Sequence, residues 1–180
     1  DEIEEIEKFD PETNETLDKF VFSIADIYNI ISTLDSNKAH GYDNISVRLI
    51  KICGASIYRP LEIIFLSCLS QGVFPDYWKR ANVVPVHKKN EKYLLKNYRP
   101  ISLLPIFSKI FERLIFNSIY NYLISNNLLS THQSGFKPGD SCTNQLLSIT
   151  HLINLSLDHN DSLEVRGVFL DMSKAFDKVW

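Results

Sequence analysis

The chain has 180 residues, of which 44% are hydrophobic and 23% are charged. This composition excludes a disordered or fibrous protein, and the length allows one sizeable core. No run of about 18 apolar residues occurs, and the acidic N-terminus lacks the pattern of a secretory signal. We therefore expect an intracellular protein that does not bind membranes. Since the only methionine is Met172, we also expect a piece of a longer protein.

Charge is divided unevenly along the chain. Residues 1–36 hold eleven acidic residues against two lysines, whereas the remainder holds 17 basic residues against 11 acidic ones. This division predicts an acidic linker on a body that binds a polyanion, with a merely solvated surface as the alternative. The three cysteines and five histidines are scattered without the spacing of a zinc site, and we interpret the cysteines as reduced.

The first predicted helix covers residues 24–34 within this acidic linker. Ser23 precedes it and Asp26 follows three residues later, as in a capping box. Turn-forming residues in NKAHGYDNIS (37–46) separate this helix from two further ones, which are predicted over 47–53 and onward to Ser70.

A strand is predicted within WKRANVVPVHKK (78–89). Pro85 cannot donate to a ladder, so this strand should lie at a sheet edge or break there. Helical spacing then predicts a long helix from Ile106 to about Ile124. After a polar connection over 125–141, a further helix is predicted, with Asp140 or Ser141 as its N-cap.

The last predicted element is a buried strand over 163–170 that leads to Asp171. Helices around few strands indicate an α+β fold. A carboxylate at a strand end suits a magnesium ligand for phosphoryl transfer. The alternative is an aspartate that caps the following SKAFDKV segment.

A basic region surrounds the first predicted strand. Residues 78–113 contain nine basic residues against two acidic ones. Two lysines at a strand end and an arginine about ten residues later could clamp a triphosphate between the strands of a hairpin. Trp78, Tyr93 and Tyr98 could stack on bases or serve as packing residues. The stretch QSGFKPGDS (133–141) could meet phosphate at a helix start or be a plain loop.

Together, five ordered blocks resemble the reverse transcriptase domain of non-LTR (LINE-type, jockey-like) retrotransposons. They are NKAHGYDNIS (37–46), GVFPDYWKRANVVPVHKK (72–89), NYRPISLLPIFSKIFERLI (97–115), HQSGFKPGDSCTNQL (132–146) and VFLDMSKAFDKVW (168–180). The resemblance implies an incomplete right-hand polymerase, with the fingers and the first palm strand over 37–180. The sequence departs from the family pattern at His40, Tyr42 and Asn44, where the family frequently has Pro, Pro and Gly, respectively.

The resemblance also implies roles for individual residues. Asp171 corresponds to the first catalytic, metal-binding aspartate of the palm, and Phe176 to the residue that excludes the 2′-hydroxyl of a ribonucleotide. Lys88 and Arg99 correspond to contacts of the incoming dNTP, although Lys89 could replace Lys88. We assign Asp177 a structural role.

The implied activity is RNA-directed DNA polymerisation, with an RNA template, a DNA primer, dNTPs and Mg²⁺ or Mn²⁺. The family's second carboxylate pair is absent from this sequence, and one aspartate cannot hold two ions. We therefore expect the segment alone to be inactive. One alternative is a catalytically dead remnant that at most binds nucleic acid, and another is a helical interaction module whose five matching blocks are coincidental.

Overall fold

The computed structural model describes residues 15–158 and 164–172. They form five α-helices and one small antiparallel sheet, so the predicted α+β class is confirmed. The chain divides into two compact units, the first ending at Leu128 and the second beginning at Leu129. The elements are α1 (Ile24–Thr33), α2 (Val47–Cys53), α3 (Ala55–Gln71), β1 (Asn82–His87), β2 (Tyr98–Leu103), α4 (Ile106–Ser125) and α5 (Cys142–Leu157), with 3-10 turns at Asp76–Lys79 and Leu95–Asn97.

Helices α1 and α5 begin where their capping residues predict. The Ser23 backbone N–H donates to Asp26 Oδ2 at 2.7 Å, and the Asp26 N–H donates to Ser23 Oγ at 3.4 Å, which completes the predicted capping box of α1. At α5, Ser141 Oγ accepts from the Asn144 N–H at 3.2 Å. Ser141 is therefore the N-cap, which decides between the two residues that the sequence offered.

Two glycines delimit α3. Gly54, with φ of +56°, separates α2 from α3, and the two helices bend by 107° at that point. Gly72, with φ of +63°, ends α3 in the left-handed conformation, as expected for a helix C-terminus. In the described part of the chain, no single helix is long and apolar enough to cross a membrane. Only the sharply bent α2–α3 pair meets that length and composition together.

The core lies in the first unit, where α1, α2, α3 and α4 turn their apolar faces toward one another. Phe65 of α3 is fully buried, and its ring centroid lies 5.0 Å from that of Phe111 and 5.7 Å from that of Trp78. The buried hydrophobic residues are Phe22, Ile27, Ile30, Ile31, Val47, Ile50, Leu61, Phe65, Trp78, Ile106, Ile110, Phe111 and Leu114.

The sheet is a two-stranded hairpin in which β1 pairs with β2 from Asn82↔Leu103 to His87↔Tyr98. Pro85 lies directly opposite Pro100, and neither residue has an N–H to donate. The two prolines must therefore form a non-hydrogen-bonded pair, with each nitrogen pointing out of the hairpin. The predicted edge position of Pro85 is confirmed, and the strand continues through it.

The strand predicted over 163–170 is not formed in its described part. Residues 164–172 adopt neither helix nor strand, and Val168, Phe169 and Leu170 are exposed. The prediction was wrong for a physical reason: a strand needs a neighbour, and no described residue pairs with this segment. Hydrophobic pattern alone indicated burial here without identifying the partner.

Candidate functional site

The hairpin brings two of the predicted dNTP-binding residues onto one face. The Lys88 N–H donates to the Asn97 carbonyl at 2.8 Å, so the ladder extends one residue past β1. Val86 lies opposite Arg99 in the register. Since side chains two residues apart on a strand share a face, Lys88 and Arg99 are diagonal neighbours. The typical Cα–Cα distance of such a pair is about 7–8 Å.

Lys88 and Lys89 differ in their place relative to the ladder. Lys88 lies one residue past β1 and still donates its N–H to the opposite strand, whereas Lys89 lies in the bend that follows. Lys88 and Arg99 are both exposed. Among the residues that the structure describes, neither side chain has an ion-pair or hydrogen-bond partner. The pair of cations is therefore open to a ligand.

Apolar side chains lie next to these cations on the same hairpin face. Val84, Val86 and Ile101 share that face by the register and remain 41%, 48% and 44% exposed. The face thus combines two cations with an apolar strip. That combination fits a ligand with both an anionic and an apolar part.

Gly41 connects the first sequence block to the end of the hairpin. It is buried, and a Cβ added there would lie 2.6 Å from Pro105 N and 2.8 Å from the Leu104 carbonyl carbon. Only a residue without a side chain allows this close approach of two backbones. The NKAHGYDNIS loop is therefore packed directly against the residues that join β2 to α4.

Two of the departures from the family pattern are accommodated in this loop. Asn44 has φ of +57°, a conformation that asparagine tolerates better than most residues other than glycine. Tyr42 Oη donates to the Tyr77 carbonyl at 2.7 Å, and the two ring centroids lie 4.8 Å apart. Partial desolvation and this contact raise the pKa of the Tyr42 phenol. The contact between Tyr42 and Tyr77 joins the first sequence block (37–46) to the second (72–89).

The three aromatic residues considered for base stacking have different environments. Trp78 is buried against Phe65, Phe74 and Phe111, so it is a core residue. Tyr98 is half-buried, whereas Tyr93 is 78% exposed. Of the three, Tyr93 retains the most accessible ring.

Asn97 is a positioning residue that sequence inspection missed. Its side chain is buried and donates from Nδ2 to the Glu91 carbonyl at 2.8 Å, while its own carbonyl accepts from Lys88. The residue therefore fixes the turn between Lys88 and Arg99. The available signal was an asparagine at the start of NYRPISL, immediately before the second strand.

Polar groups of the QSGFKPGDS loop hydrogen-bond to one another and to the first turn of α5. The Ser134 hydroxyl beside Asp140 and the Ser141 N–H, which donates to Asp140 Oδ1 at 2.7 Å, lower the pKa of the Asp140 carboxyl group. The Ser134 hydroxyl donates to Gln145 Oε1. A carboxylate at this helix start disfavours a phosphate, so the geometry favours the plain-loop interpretation.

The predicted palm residues are only partly described. Asp171 is exposed and lies in the irregular segment 164–172, and Phe176 and Asp177 lie outside the described residues. Within the described ranges, no three His, Cys, Asp or Glu side chains form a group that could hold a metal ion. Asp171 has suitable donor chemistry for Mg²⁺, but the described residues around it do not make a complete site.

Comparison with known proteins identifies the family. Residues 86–180 match the profile described as reverse transcriptase (RNA-dependent DNA polymerase). The chain belongs to the reverse transcriptase family. This matched region contains Lys88, Arg99 and Asp171 together.

The reverse transcriptase segment is similar to transposon-encoded relatives from Drosophila melanogaster. It is 34% identical over 158 residues to the probable RNA-directed DNA polymerase from transposon BS, with 87% of this chain covered. It is 33% identical over 160 residues to the RNA-directed DNA polymerase from mobile element jockey, with 88% covered. The chain spans 17% of the length of each of these two relatives.

A third relative, the probable RNA-directed DNA polymerase from transposon X-element, is 28% identical over 183 residues, which cover 99% of this chain and 20% of the relative. These matches confirm the predicted resemblance to non-LTR retrotransposon reverse transcriptases. They exclude the interpretation that the five blocks are coincidental. They also favour a reverse transcriptase segment over a dead remnant.

Proposed function

We propose that this chain supplies the fingers and the first palm segment of an RNA-directed DNA polymerase of a non-LTR retrotransposon. The partners of the longer protein would be an RNA template, a DNA primer and dNTPs. The observation that carries the proposal is the shared hairpin face of Lys88 and Arg99, inside the region that matches the family.

On this proposal, the two hairpin cations bind the triphosphate of the incoming nucleotide. The guanidinium of Arg99 can donate to two phosphate oxygens at once, whereas the Lys88 ammonium acts as a point charge. The hairpin register fixes the backbone spacing of the two residues before the ligand arrives. Their exposed side chains lose rotamer freedom when they bind, and this loss offsets part of the gain from neutralising phosphate charge.

Asp171 and Phe176 would complete this segment's contribution in the longer protein. Asp171 would provide one carboxylate to Mg²⁺ or Mn²⁺, and the remaining ligands would come from other residues. A bound divalent ion supplies charge stabilisation to phosphoryl oxygens. Phe176 would lie beside the sugar and exclude a ribonucleotide through contact with its 2′-hydroxyl.

The direct test is a titration of the 180-residue chain with a fluorescent dNTP. Lys88→Gln and Arg99→Gln should each weaken binding by about 10- to 150-fold, because each removes a charge-assisted contact of about 1.5–3 kcal/mol. Lys89→Gln is the matched control, since Lys89 lies in the bend beyond the last pair of the register. Equal losses in all three variants would contradict the proposed triphosphate site.

The palm assignment requires an active, longer protein that contains this segment. Asp171→Asn should lower nucleotide incorporation by about three orders of magnitude, because the loss of a metal ligand removes several kcal/mol of charge stabilisation. Template binding should remain near the wild-type affinity. Incorporation at the wild-type rate would remove Asp171 from the active site.

The sugar-contact assignment has its own test in the same protein. Phe176→Val should raise ribonucleotide incorporation relative to deoxynucleotide incorporation, since a smaller side chain leaves room for the 2′-hydroxyl. Competition between the two nucleotide types at a defined template position measures this ratio. An unchanged ratio would refute the role of Phe176.

A further inference from the structure

Helices α1 and α4 pack against each other and leave a polar groove along their contact. We call it the α1–α4 groove. Its volume is about 370 Å³, which lies within the range of ligand sites in proteins. The side chains that line it are Asp26, Asn29, Ile30 and Thr33 of α1, and Arg113 and Asn117 of α4. All of them except Ile30 are polar or charged, so hydrogen bonds would hold a ligand there.

Two of the polar groups are already engaged within α1. The Ser23 hydroxyl and the Ser23 backbone N–H each donate to Asp26 Oδ2 at 2.7 Å, and these bonds hold the pKa of the Asp26 carboxyl below its usual value. The Thr33 hydroxyl donates to the Ile30 carbonyl at 2.8 Å. Asp26 therefore stays ionised at neutral pH and has less capacity to accept bonds from a ligand.

The other three polar side chains of the groove are uncommitted. In the described part of the chain, the side chains of Asn29, Asn117 and Arg113 have no hydrogen-bond or ion-pair partner, and all three residues are exposed. Each carboxamide offers an acceptor oxygen and an NH2 donor group, whereas the guanidinium offers only donors. Together these groups fit a ligand that carries a carboxylate next to peptide amides.

An aromatic stack holds the guanidinium in place on α4. The Arg113 guanidinium carbon lies 5.6 Å from the centroid of the Phe116 ring. Phe116 in turn stacks on Tyr120, with the ring centroids 5.4 Å apart and the ring planes 13° from parallel. An arginine held over a ring keeps its N–H edges free for a carboxylate. Because the side chain is already oriented, it loses less rotamer freedom when a ligand binds.

The charge of the groove favours a peptide over a nucleic acid. Its two charged side chains are Arg113 and Asp26, so the positive charge is balanced within the groove. Tight binding of a phosphate backbone needs several cations, because affinity grows with the number of phosphates that are neutralised. A single carboxylate on an extended peptide needs only one arginine, which binds it through two parallel N–H donors.

We propose that the α1–α4 groove binds an extended segment of a partner protein. An Asp or Glu side chain of that segment binds Arg113, and its backbone amides hydrogen-bond to Asn29 and Asn117. This surface goes beyond the proposed polymerase function, since it lies on two helices and not on the hairpin that carries Lys88 and Arg99.

The first experiment identifies peptides that fit the groove. A random dodecapeptide library displayed on phage is selected against the 180-residue chain and counter-selected against Arg113→Gln. The peptides that remain should share an Asp or Glu at one position. Peptides without a shared acidic residue, or peptides that both proteins capture equally, would overturn the inference. Circular dichroism checks that the variant keeps its helices.

The second experiment measures the affinity of one selected peptide by fluorescence anisotropy. Arg113→Gln should weaken binding by about 10- to 150-fold, the range for loss of a charge-assisted hydrogen bond. Asn29→Ala and Asn117→Ala should each weaken it by about 2- to 10-fold, because each removes neutral hydrogen bonds. Arg48→Gln is the matched control, since Arg48 is an exposed arginine on α2. An equal loss in Arg48→Gln would contradict a specific site.

The positioning role of Phe116 has its own readout in the same assay. Phe116→Ala should weaken binding by about 2- to 5-fold although Arg113 is still present, because the guanidinium loses the ring that orients it. Phe116→Tyr should restore the wild-type affinity, since the ring is retained. Equal affinities in wild type and Phe116→Ala would refute this positioning role.

Replacing the shared acid of the peptide by its amide completes a double-mutant cycle. This change should weaken binding to wild type and have little further effect on binding to Arg113→Gln, because the two groups contact each other. Losses that simply add would mean that the carboxylate does not bind Arg113, and the assignment would fail.

The remaining outcomes separate other occupants and the proposed function. Arg113→Gln should leave dNTP binding unchanged, whereas Lys88→Gln should lose dNTP binding and keep peptide binding. A labelled oligouridylate that displaces the peptide and loses affinity in Arg113→Gln would assign the groove to nucleic acid and overturn the inference. Sedimentation velocity tests self-association: a dimer that wild type forms and Arg113→Gln does not would place a second copy of the chain there instead.

Discussion

The two compact units differ in how their helices are packed. Helix α1 in the first unit buries Ile27 and Ile31 against its neighbours. Helix α5 in the second unit has no buried residue among those described, and Leu146 and Leu152 are 63% and 61% exposed. Every buried hydrophobic residue of the described chain lies before residue 115. Among the residues that the structure describes, hydrophobic burial therefore stabilises the first unit.

This difference shows that local signals and tertiary packing are separate requirements. Both helices have a serine N-cap whose hydroxyl accepts a backbone N–H. Both also carry apolar residues at helical spacing, so their sequences predict helix equally well. Burial depends on the partner that covers the apolar face, and most helical stability in proteins comes from such packing.

Among the substitutions that test this difference between the units, a core substitution should change the free energy of unfolding most. Phe65→Ala should lower the free energy of unfolding by about 3–5 kcal/mol, because it leaves a cavity among Phe111, Trp78 and Phe22. Leu152→Ala on α5 should change it by about 0.5 kcal/mol or less, since the side chain is already exposed. Chemical denaturation measures both values: tryptophan fluorescence reports on buried Trp78 in the first unit, and circular dichroism reports on the helices of both units.

Two results would break the comparison. A loss of several kcal/mol in Leu152→Ala would mean that α5 is covered in solution. A negligible loss in Phe65→Ala would mean that the aromatic cluster does not stabilise the first unit.

The contact between Gly41 and the Leu104–Pro105 backbone should give an intermediate effect. Gly41→Ala should destabilise the first unit by about 1–3 kcal/mol, because the added methyl group overlaps backbone atoms that cannot rotate away. Gly135→Ala is the matched control in the second unit, where a Cβ would meet no atom within 4 Å. Thermal unfolding of the two variants measures the difference, and equal midpoints would contradict the close packing.

Much of the helical structure could be predicted from capping and periodicity, whereas contacts distant in sequence could not. Ser23, Gly72 and the repeat beginning at Ile106 each mark an element that the structure contains. No bounds for β2 follow from its sequence, because Pro100 interrupts the strand pattern. Only the pairing of Pro100 with Pro85 shows why it is tolerated there.

For the candidate site, too, the sequence indicated the residue types but not the contacts between distant residues. Basic residues near a strand end indicated a phosphate ligand, and only the register shows that Lys88 shares a face with Arg99. The tight approach at Gly41 and the hydrogen bond from the Lys88 N–H to the Asn97 carbonyl join residues from separate blocks. Such contacts depend on tertiary geometry, so composition and spacing contain no direct sign of them.

The smallest expected effect concerns the cap of α1 and its dependence on pH. Hydrogen bonds from Ser23 hold the pKa of the Asp26 carboxyl below its usual value. Because the unfolded state then binds the proton more tightly, the stabilisation is present above about pH 4 and is lost as pH falls through the folded-state pKa. Ser23→Ala should cost about 1 kcal/mol at neutral pH.

Wild type and Ser23→Ala should therefore differ less in their free energy of unfolding as the solution is acidified below about pH 4. Ser32→Ala is the control, because its hydroxyl donates to the Asn29 carbonyl in the same helix without contacting a carboxylate. Denaturation curves across this pH range measure the difference in free energy of unfolding between wild type and each variant. A gap that stays constant would mean that Ser23 acts only through its bond to the Asp26 N–H, and that the charge of Asp26 does not stabilise the helix start.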